Sequence, residues 1–299
     1  MNLTIGLTLA LLCIFGGYIG VSLGGEEHSL NTVLTALGHL WQPFEFIIII
    51  GASFGAMVAS NKGRVLKKIW KSFMGIFVPQ TAGLTSNREL LCLMFELIQK
   101  INRNGMKSVE EDIEAPLTSP LFQKYPLVLR DERLTAFISE YMRMMLGGSM
   151  NLAQFESLMQ QEIEVLEEEL LVSADAVHTV ADGLPAFGIV AAIMGVVIAL
   201  QSINQPSIGE KIASAMVGTF LGVLLSYSIV TPIAKVLEHD ADTELRPYSA
   251  VKAILLAYLN NFPPFAAVEF GRKVLYSDQR PSFDDLETDT REILRNINH

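Results

Sequence analysis

The chain has 299 residues and a net charge of −10; 50% of its residues are hydrophobic, 18% are charged, and its mean hydropathy is +0.36. Soluble chains carry about a quarter charged residues, so this composition indicates an integral membrane protein. The acidic balance argues against nucleic acid as a partner, because nucleic acid binds basic faces. Cys13 and Cys92 lie far apart, and the sequence predicts neither a disulfide framework nor a metal site.

Two apolar segments near the N-terminus, residues 3–23 and 43–60, predict the first two membrane-spanning helices. Each is close to the 20 or so residues that cross a hydrocarbon core as a helix. No Lys or Arg precedes the first segment, and its apolar run is longer than that of a signal peptide, so we interpret it as a retained helix. A cleaved signal peptide is the alternative. Between them, residues 30–40 predict a short interfacial helix.

Basic residues directly after the second span set the predicted topology. Cations beside a span mark its cytoplasmic side, so the first loop is outside and, with four spans, both termini are cytoplasmic. The five cations within ten residues are Lys62, Arg64, Lys67, Lys68 and Lys71.

Residues 61–182 predict a large, helical cytoplasmic insert. Ser86 with Glu89, and Ser108 with Glu111, have the spacing of a capping box at a helix start. A further amphipathic helix is predicted to end at Gly147-Gly148. From Leu152 to Leu170, apolar residues at near-heptad spacing predict a long helix with an acidic outer face that leads towards the third span.

The third and fourth spans form a hairpin over residues 183–238. No charged side chain occurs at positions 183–209 or 212–234. Proteins that bind or relay ions within a bilayer normally keep an ionisable group there, so if this chain conducts ions, a partner is expected to supply that group. The tail, residues 239–299, predicts one helix at 248–259 and frayed, charged last residues. The predicted fold is therefore an all-α integral membrane protein with four transmembrane helices and domains at 1–60, 61–182, 183–238 and 239–299.

Small residues and prolines in the spans each allow two interpretations. Stripes of Gly, Ala and Ser at every fourth position let helices approach closely, either within this chain or against other subunits. Pro185 and Pro232 either bend the third and fourth spans, or they merely end these helices or are tolerated in them near the membrane edge. The pattern G-x-S-x-G at residues 51–55 lies within a span. It therefore lacks the strand-to-helix turn of a hydrolase, and no enzyme is predicted.

The chain resembles the MotA/PomA family of flagellar stator subunits along nearly its whole length. The resemblance rests on three segments: LPAFGIVAAIMGVVIAL, AMVGTFLGVLLSYSIVTPIAKVL and VEFGRKVLYSDQRPSF. It implies a fivefold ring of this chain in the bacterial inner membrane. The ring would surround two copies of a MotB-like, single-span, peptidoglycan-binding partner, whose aspartate carries the ion. Ion flow would then turn the ring against the rotor protein FliG.

The resemblance also implies roles for particular residues. Pro185 and Pro232 match the family's functional prolines, and Thr219 matches a threonine that lines the ion path. Sodium-driven relatives have a threonine where this chain has Ala192, so protons are expected rather than sodium, with no other cofactor. For contact with the rotor, Glu110 fits the family's acidic position, and Arg103 is next to the position of its arginine, Asn102.

Two further function classes remain open at this point. The chain could be a membrane scaffold that does not conduct ions, or an energiser of another machine related to TolQ and ExbB. Those energisers have three spans, whereas four are predicted here. A secondary transporter is disfavoured, because the spans are few and lack internal ionisable groups.

Overall fold

The computed structural model describes residues 2–22, 33–34, 37–38, 40–75, 83–148, 150–201 and 208–298. In these ranges every regular element is helical, which confirms the all-α prediction. Four helices are long and apolar enough to cross a membrane. The α-helices, in chain order, are α1 Asn2–Ser22, α2 Pro43–Ser60, α3 Gly63–Gly75, α4 Gly83–Asn104, α5 Glu110–Glu114, α6 Pro126–Leu129, α7 Glu132–Gly147, α8 Leu152–Leu200, α9 Ile208–Leu225, α10 Thr231–Leu259, α11 Pro264–Val274 and α12 Phe283–Asn298.

The chain folds into two compact units, and α8 and α10 contribute to both. The first unit comprises Met1–Val78 and Leu171–Asp240, and the second comprises Pro79–Leu170 and Ala241–His299. The predicted interfacial helix at residues 30–40 lies mostly outside the described residues. The predicted long acidic helix is confirmed, because α8 runs without a break from Leu152 to Leu200.

The first unit is built around the packed hairpin of α8 and α9. Its apolar centre joins Ile49 of α2 to Leu184 and Ala191 of α8 and to Leu221 and Leu224 of α9. Lipid gives no hydrophobic drive for helices to associate, so such contacts stabilise through close packing.

Helix α3 is an amphipathic helix that the sequence analysis did not single out. Its Ile69 packs against Ala174 and Val177 of α8 and Leu237 of α10 in a second apolar cluster. The Ser72 hydroxyl donates a hydrogen bond of 3.1 Å to the Ser173 hydroxyl, which ties α3 to α8. Four of the five cations that follow the second span therefore lie on this helix: Arg64, Lys67, Lys68 and Lys71.

The second unit has the main apolar core, centred on α4. Leu90, Leu91, Leu93, Met94 and Leu97 are almost completely buried, and they pack with residues of α7, α8, α10 and α12. So wide an apolar surface on one helix requires neighbours all around it.

Polar contacts at the edge of this core fix the position of α4. Arg88 donates to both carboxylate oxygens of Asp289 at 2.7 and 2.6 Å. Glu96, which is buried, accepts from the Tyr125 hydroxyl at 2.8 Å and pairs with Lys124. A carboxylate removed from water is costly unless it is paired, and these donors supply the pairing.

The tail segment VEFGRKVLYSDQRPSF packs closely against α10 within the second unit. A side chain at Gly271 would overlap Ile254 and lie 3.0 Å from the Ala250 carbonyl oxygen, so only glycine lets α11 approach α10 this closely. The buried Arg272 binds Glu269 through two nitrogens and donates to the Pro281 carbonyl at 3.2 Å.

Two predicted helix starts were wrong. Helix α4 already includes Gly83, so Ser86 is not its cap, and Glu89 instead accepts from the Leu127 amide at 2.7 Å. Ser108 donates to the Gly105 carbonyl within a 3₁₀ turn, and the following helix has no side-chain cap. The predicted end of α7 is confirmed, because Gly148 has a φ of 58°, as a left-handed C-cap requires.

The tail was also predicted with too little helix. The expected helix at 248–259 is only the end of α10, which begins at Thr231 and continues through Pro247. The last residues are not frayed: Phe283–Asn298 form α12, whose Asp285 and Ser282 bond each other at its start. Packing of Leu286 into the main core stabilises this charged helix in a way that its sequence alone does not reveal.

Candidate functional site: the α8–α9 hairpin

Glycines bring the backbones of α8 and α9 into direct contact. A Cβ atom at Gly222 would lie 2.6 Å from the Leu184 carbonyl oxygen and 3.1 Å from the Gly188 Cα. Real Cβ atoms do not approach backbone this closely, so any larger residue at position 222 would push the two helices apart. One turn away, a Cβ atom at Gly188 would lie 3.0 Å from the Gly218 carbonyl oxygen.

The small-residue stripes have two different surroundings. Those of the third and fourth spans pack on each other, since a Cβ atom at Gly195 would lie 2.6 Å from the Cβ of Ala215. In contrast, Cβ atoms at Gly51 and Gly55 of the second span would meet no atom of the described residues within 4 Å. Packing within the chain therefore accounts for the hairpin stripes but not for that of α2.

Pro185 lies inside α8 and does not end it, so the interpretation of simple termination is wrong for this residue. A proline has no N–H and leaves the carbonyl four residues earlier without its helical donor. That carbonyl belongs to Ala181, and it accepts a hydrogen bond of 2.7 Å from the hydroxyl of Ser226, 45 residues away on the other arm of the hairpin. Ser226 thus supplies the donor that Pro185 removes.

Pro232 also fails to end its helix. The five residues before Thr231, Ser226–Val230, form a π-helical turn, and α10 continues from Thr231 through Pro232. The wider turn shifts the hydrogen-bonding register just before the proline, where an α-helical bond would be lost. Both arms of the hairpin are therefore continuous helices with a local break in their hydrogen bonding.

Thr219 and Ala192 lie between the two closest contacts of the arms, which are at Gly222 and at Gly195. A Cβ atom at Gly188 would lie 3.5 Å from the Cα of Thr219, and one at Gly218 would lie 3.5 Å from the Ala192 nitrogen. Thr219 and Ala192 are both partly buried. The structure thus brings together the two prolines, Thr219 and Ala192 in one hairpin, as the sequence analysis expected.

Glu45 lies in the first turn of α2 and was not among the predicted site residues. Its Cγ lies 3.6 Å from where a Cβ of Gly218 would be. Glu45, Gln42, Tyr18, Lys211 and Ser214 line a cleft of about 840 Å³ beside the hairpin. The sequence pointed to this cleft only through the Glu45 carboxyl group, which lies in an otherwise uncharged span. The contact of Glu45 with the hairpin could not be predicted from the spacing of residues along the chain.

At the opposite end, a polar cluster links α8 to α10. The Nε2 atom of His178 lies 2.7 Å from Oε1 of Glu238, and the Nζ atom of Lys235 lies 2.6 Å from Oε2 of the same carboxylate. The His178 and Glu238 side chains are 26% and 33% exposed, so both are partly shielded from solvent. The sequence analysis treated His178 as one of several scattered histidines.

Arg103 and Glu110 lie in the second unit and not in the hairpin. Arg103 is in the last turn of α4 and Glu110 begins α5, and both side chains are exposed. Gly105, with a φ of 83°, reverses the chain between them. Asn102, beside Arg103, is exposed as well.

Two family models match the chain. The model described as motility protein A N-terminal matches residues 4–105, and that of the MotA/TolQ/ExbB proton channel family matches residues 130–249. Motility protein A of Salmonella typhimurium is 42% identical over 300 residues, covering 100% of this chain and 97% of the relative.

Solved structures support the same assignment at the level of the fold. A chain of the C. jejuni MotAB structure superposes with a TM-score of 0.67 and 18% identity, covering 93% of this chain and 96% of that one. A chain of the flagellar MotAB stator complex from Bacillus subtilis gives 0.62 and 22%, covering 95% and 98%. The chain is thus a multi-pass membrane protein, and it belongs to the motility protein A family of flagellar stator subunits, within the MotA/TolQ/ExbB proton channel family.

Proposed function

We propose that this chain combines with a MotB-like, single-span, peptidoglycan-binding subunit to form a proton channel whose ion flow drives rotation of the flagellar motor. The observation that carries the proposal is a hairpin whose two arms each have a local break in hydrogen bonding, at Pro185 and before Pro232, with no ionisable side chain at positions 183–209 or 212–234. Such a hairpin can move but cannot bind the ion itself. The ion-binding carboxylate therefore comes from the partner.

We propose a homo-oligomeric ring, a pentamer, around two copies of that partner. Two related structures are MotAB complexes. In this chain, apolar side chains of the hairpin are left uncovered, among them Ile193 and Val197 of α8 and Met216 and Val223 of α9. Subunit or partner helices would cover these faces, and the open glycine stripe of α2 offers a further close-packing surface.

The ion is proposed to be a proton rather than sodium, and Thr219 and Ala192 are proposed to line its path. The methyl group of Ala192 offers no oxygen to a sodium ion, whereas a proton can move along water and hydroxyl groups. Pro185 and Pro232 are proposed to couple protonation of the partner's carboxylate to a shift of the hairpin. No other cofactor is required by this mechanism.

The proposed location is the bacterial inner membrane, with both termini in the cytoplasm. Residues 1–60 and 183–238 would form the membrane part, and residues 61–182 and 239–299 the cytoplasmic part. The five cations at positions 62–71 support a cytoplasmic location for α3. Arg103 and Glu110 are proposed to push on FliG, and both side chains are exposed in the second unit.

The proposal is tested by flagellar rotation in cells that lack their own stators. These cells receive this chain and its partner, and rotation is measured with and without sodium and with a protonophore. Rotation that survives sodium removal and stops with the protonophore is expected. Rotation that requires sodium would leave a motor but refute the assignment of the proton.

Replacement of Pro185 distinguishes the motor from the alternative of a non-conducting scaffold. A motor should lose torque while the complex still assembles in the membrane, whereas a scaffold should keep its function. If both proteins reach the membrane with a partner known to work, and no rotation follows, the motor proposal is wrong.

A further inference from the structure

His178 lies on the same stripe of α8 as the proposed ion-path residues. Seven residues turn an α-helix by two turns less about 20°, so Ala192, Pro185 and His178 follow one another along one side of α8. All three are partly buried. At 1.5 Å per residue, His178 is about 10 Å from Pro185 along the helix axis, on the side that leads out of the charge-free segment.

The hydrogen bond to Glu238 fixes how the imidazole can act. A carboxylate only accepts hydrogen bonds, so the Nε2 atom of His178, 2.7 Å from Oε1, carries the hydrogen. The other ring nitrogen, Nδ1, then has a lone pair with which to accept a proton. Lys235 holds the second oxygen of Glu238 at 2.6 Å, so the carboxylate is fixed between two donors.

We infer that His178, oriented by Glu238, is the proton acceptor at the cytoplasmic end of the ion path. This inference rests on the proposed function. A proton that leaves the partner's carboxyl group through water is taken up at Nδ1, which gives the imidazolium ion, and is then released from Nδ1 to cytoplasmic water. No bond to carbon changes, and the histidine returns to its starting form. Histidine suits this step because a neutral imidazole donates a hydrogen bond with one ring nitrogen and can accept a proton at the other.

The charged groups around His178 come from three helices and have both signs. Glu238 is bonded to it, and Ser72 and Ser173 join α3 to the α8 segment just before it. Opposite charges near an imidazole favour its protonated form and like charges disfavour it. The charged groups on these elements are Asp175 and Asp182 on α8, Lys235, Glu238, His239 and Asp240 on α10, and the five cations at positions 62–71.

The test uses His178→Gln in the full chain with its partner, in stator-less cells with a load attached to the flagellum. Glutamine can still donate to Glu238 but cannot carry a proton. Proton transfer by a positioned side chain is worth about 100-fold or more. At low load, where ion transfer limits speed, we expect the variant to turn at least about threefold more slowly. At high load, where each step is slow, we expect torque to be unchanged.

A second measurement varies cytoplasmic pH with a permeant weak acid. An imidazolium ion cannot accept a further proton, so the low-load speeds of the natural chain and of His178→Gln should converge as the cytoplasm is acidified. Added imidazole should speed up His178→Ala at low load, since it supplies the missing acceptor. His239→Gln, the same change at a neighbouring histidine on α10, should have no effect.

The outcomes separate the inference from the proposed function. If the natural chain rotates on protons but His178→Gln turns at normal speed at every load, the inference is wrong and the motor stands. An equal loss of low-load speed and high-load torque, without rescue by imidazole, would assign His178 a purely structural role and also refute it. Absence of rotation in the natural chain would refute the proposed function itself.

Discussion

The hydrogen bond from Ser226 to the Ala181 carbonyl can be tested because Pro185 makes it irreplaceable. In Ser226→Ala the carbonyl loses its donor, and α8 has no N–H at position 185 to supply another. Interhelical hydrogen bonds in membrane proteins average about 0.6 kcal/mol, but a buried acceptor left without a donor costs about 1–3 kcal/mol. We therefore expect Ser226→Ala to lower the free energy of unfolding by about 1.5 kcal/mol.

The same change should cost much less when alanine replaces Pro185. Alanine has an N–H, so α8 can bond the Ala181 carbonyl within the helix, and the Ser226 hydroxyl becomes redundant. In this background we expect Ser226→Ala to cost about 0.5 kcal/mol, which leaves a coupling of about 1 kcal/mol between the two positions.

The coupling is measured by a double-mutant cycle, with unfolding of the four proteins followed by titration with a denaturing detergent. Ser214→Ala, a serine-to-alanine change three turns earlier in α9, is the matched control and should be additive with Pro185→Ala. Equal costs of Ser226→Ala in both backgrounds, within about 0.3 kcal/mol, would refute the idea that Ser226 compensates for the proline.

Three further predictions concern packing, thiol reactivity and pH. Gly222→Ala should lower the free energy of unfolding by about 1–3 kcal/mol, because its Cβ would overlap the α8 backbone. In the same unfolding titration Gly218→Ala should be tolerated, because its Cβ would have contacts of 3.4 Å or more. Burial raises the pKa of Cys92 to about 12, so at pH 8 only about one molecule in 10⁴ has the thiolate. When the other cysteine is replaced by serine, the rate at which Cys92 is alkylated should therefore rise in parallel with the unfolded fraction. Hydrogen bonds from Ser282 lower the pKa of Asp285, so its contribution to stability is present above the ordinary pKa of about 4 and is lost as pH falls through the lowered value. In that acidic range, Asp285→Asn should make the free energy of unfolding depend less on pH.

The membrane-spanning segments could be predicted because charge is absent over long windows of sequence. A window of about 20 uncharged residues has few alternatives to a transmembrane helix. The apolar spacing that begins at Leu152 predicted the part of α8 that precedes the third span. Helix starts were harder, because capping residues have competing partners. Glu89 has the spacing of a capping box, but it accepts from Leu127, 38 residues away, and no local pattern contains that contact.

The hairpin shows the same limit at the candidate site. Pro185, Pro232, Thr219 and Ala192 could be selected from the sequence, since their residue types or family positions are distinctive. The hydrogen-bond donor to the Ala181 carbonyl, which Pro185 frees, could not be predicted from the sequence. Ser226 lies 45 residues away, and its alignment with Ala181 depends on how α8 and α9 pack. Which side chains meet across two helices depends on how the helices are aligned along their axes. In this hairpin the glycine contacts determine that alignment.

One hydrogen bond joins the two interruptions of the hairpin. Ser226 is the first residue of the π-helical turn before Pro232, and it bonds the carbonyl that Pro185 frees, so neither arm can change its local geometry without moving or breaking this bond. Moving one elementary charge through a membrane potential releases about 2.3 kcal/mol per 100 mV, which exceeds the loss of about 1.5 kcal/mol expected when this hydrogen bond is removed. Under the proposed function, a single proton therefore supplies enough free energy to break the link.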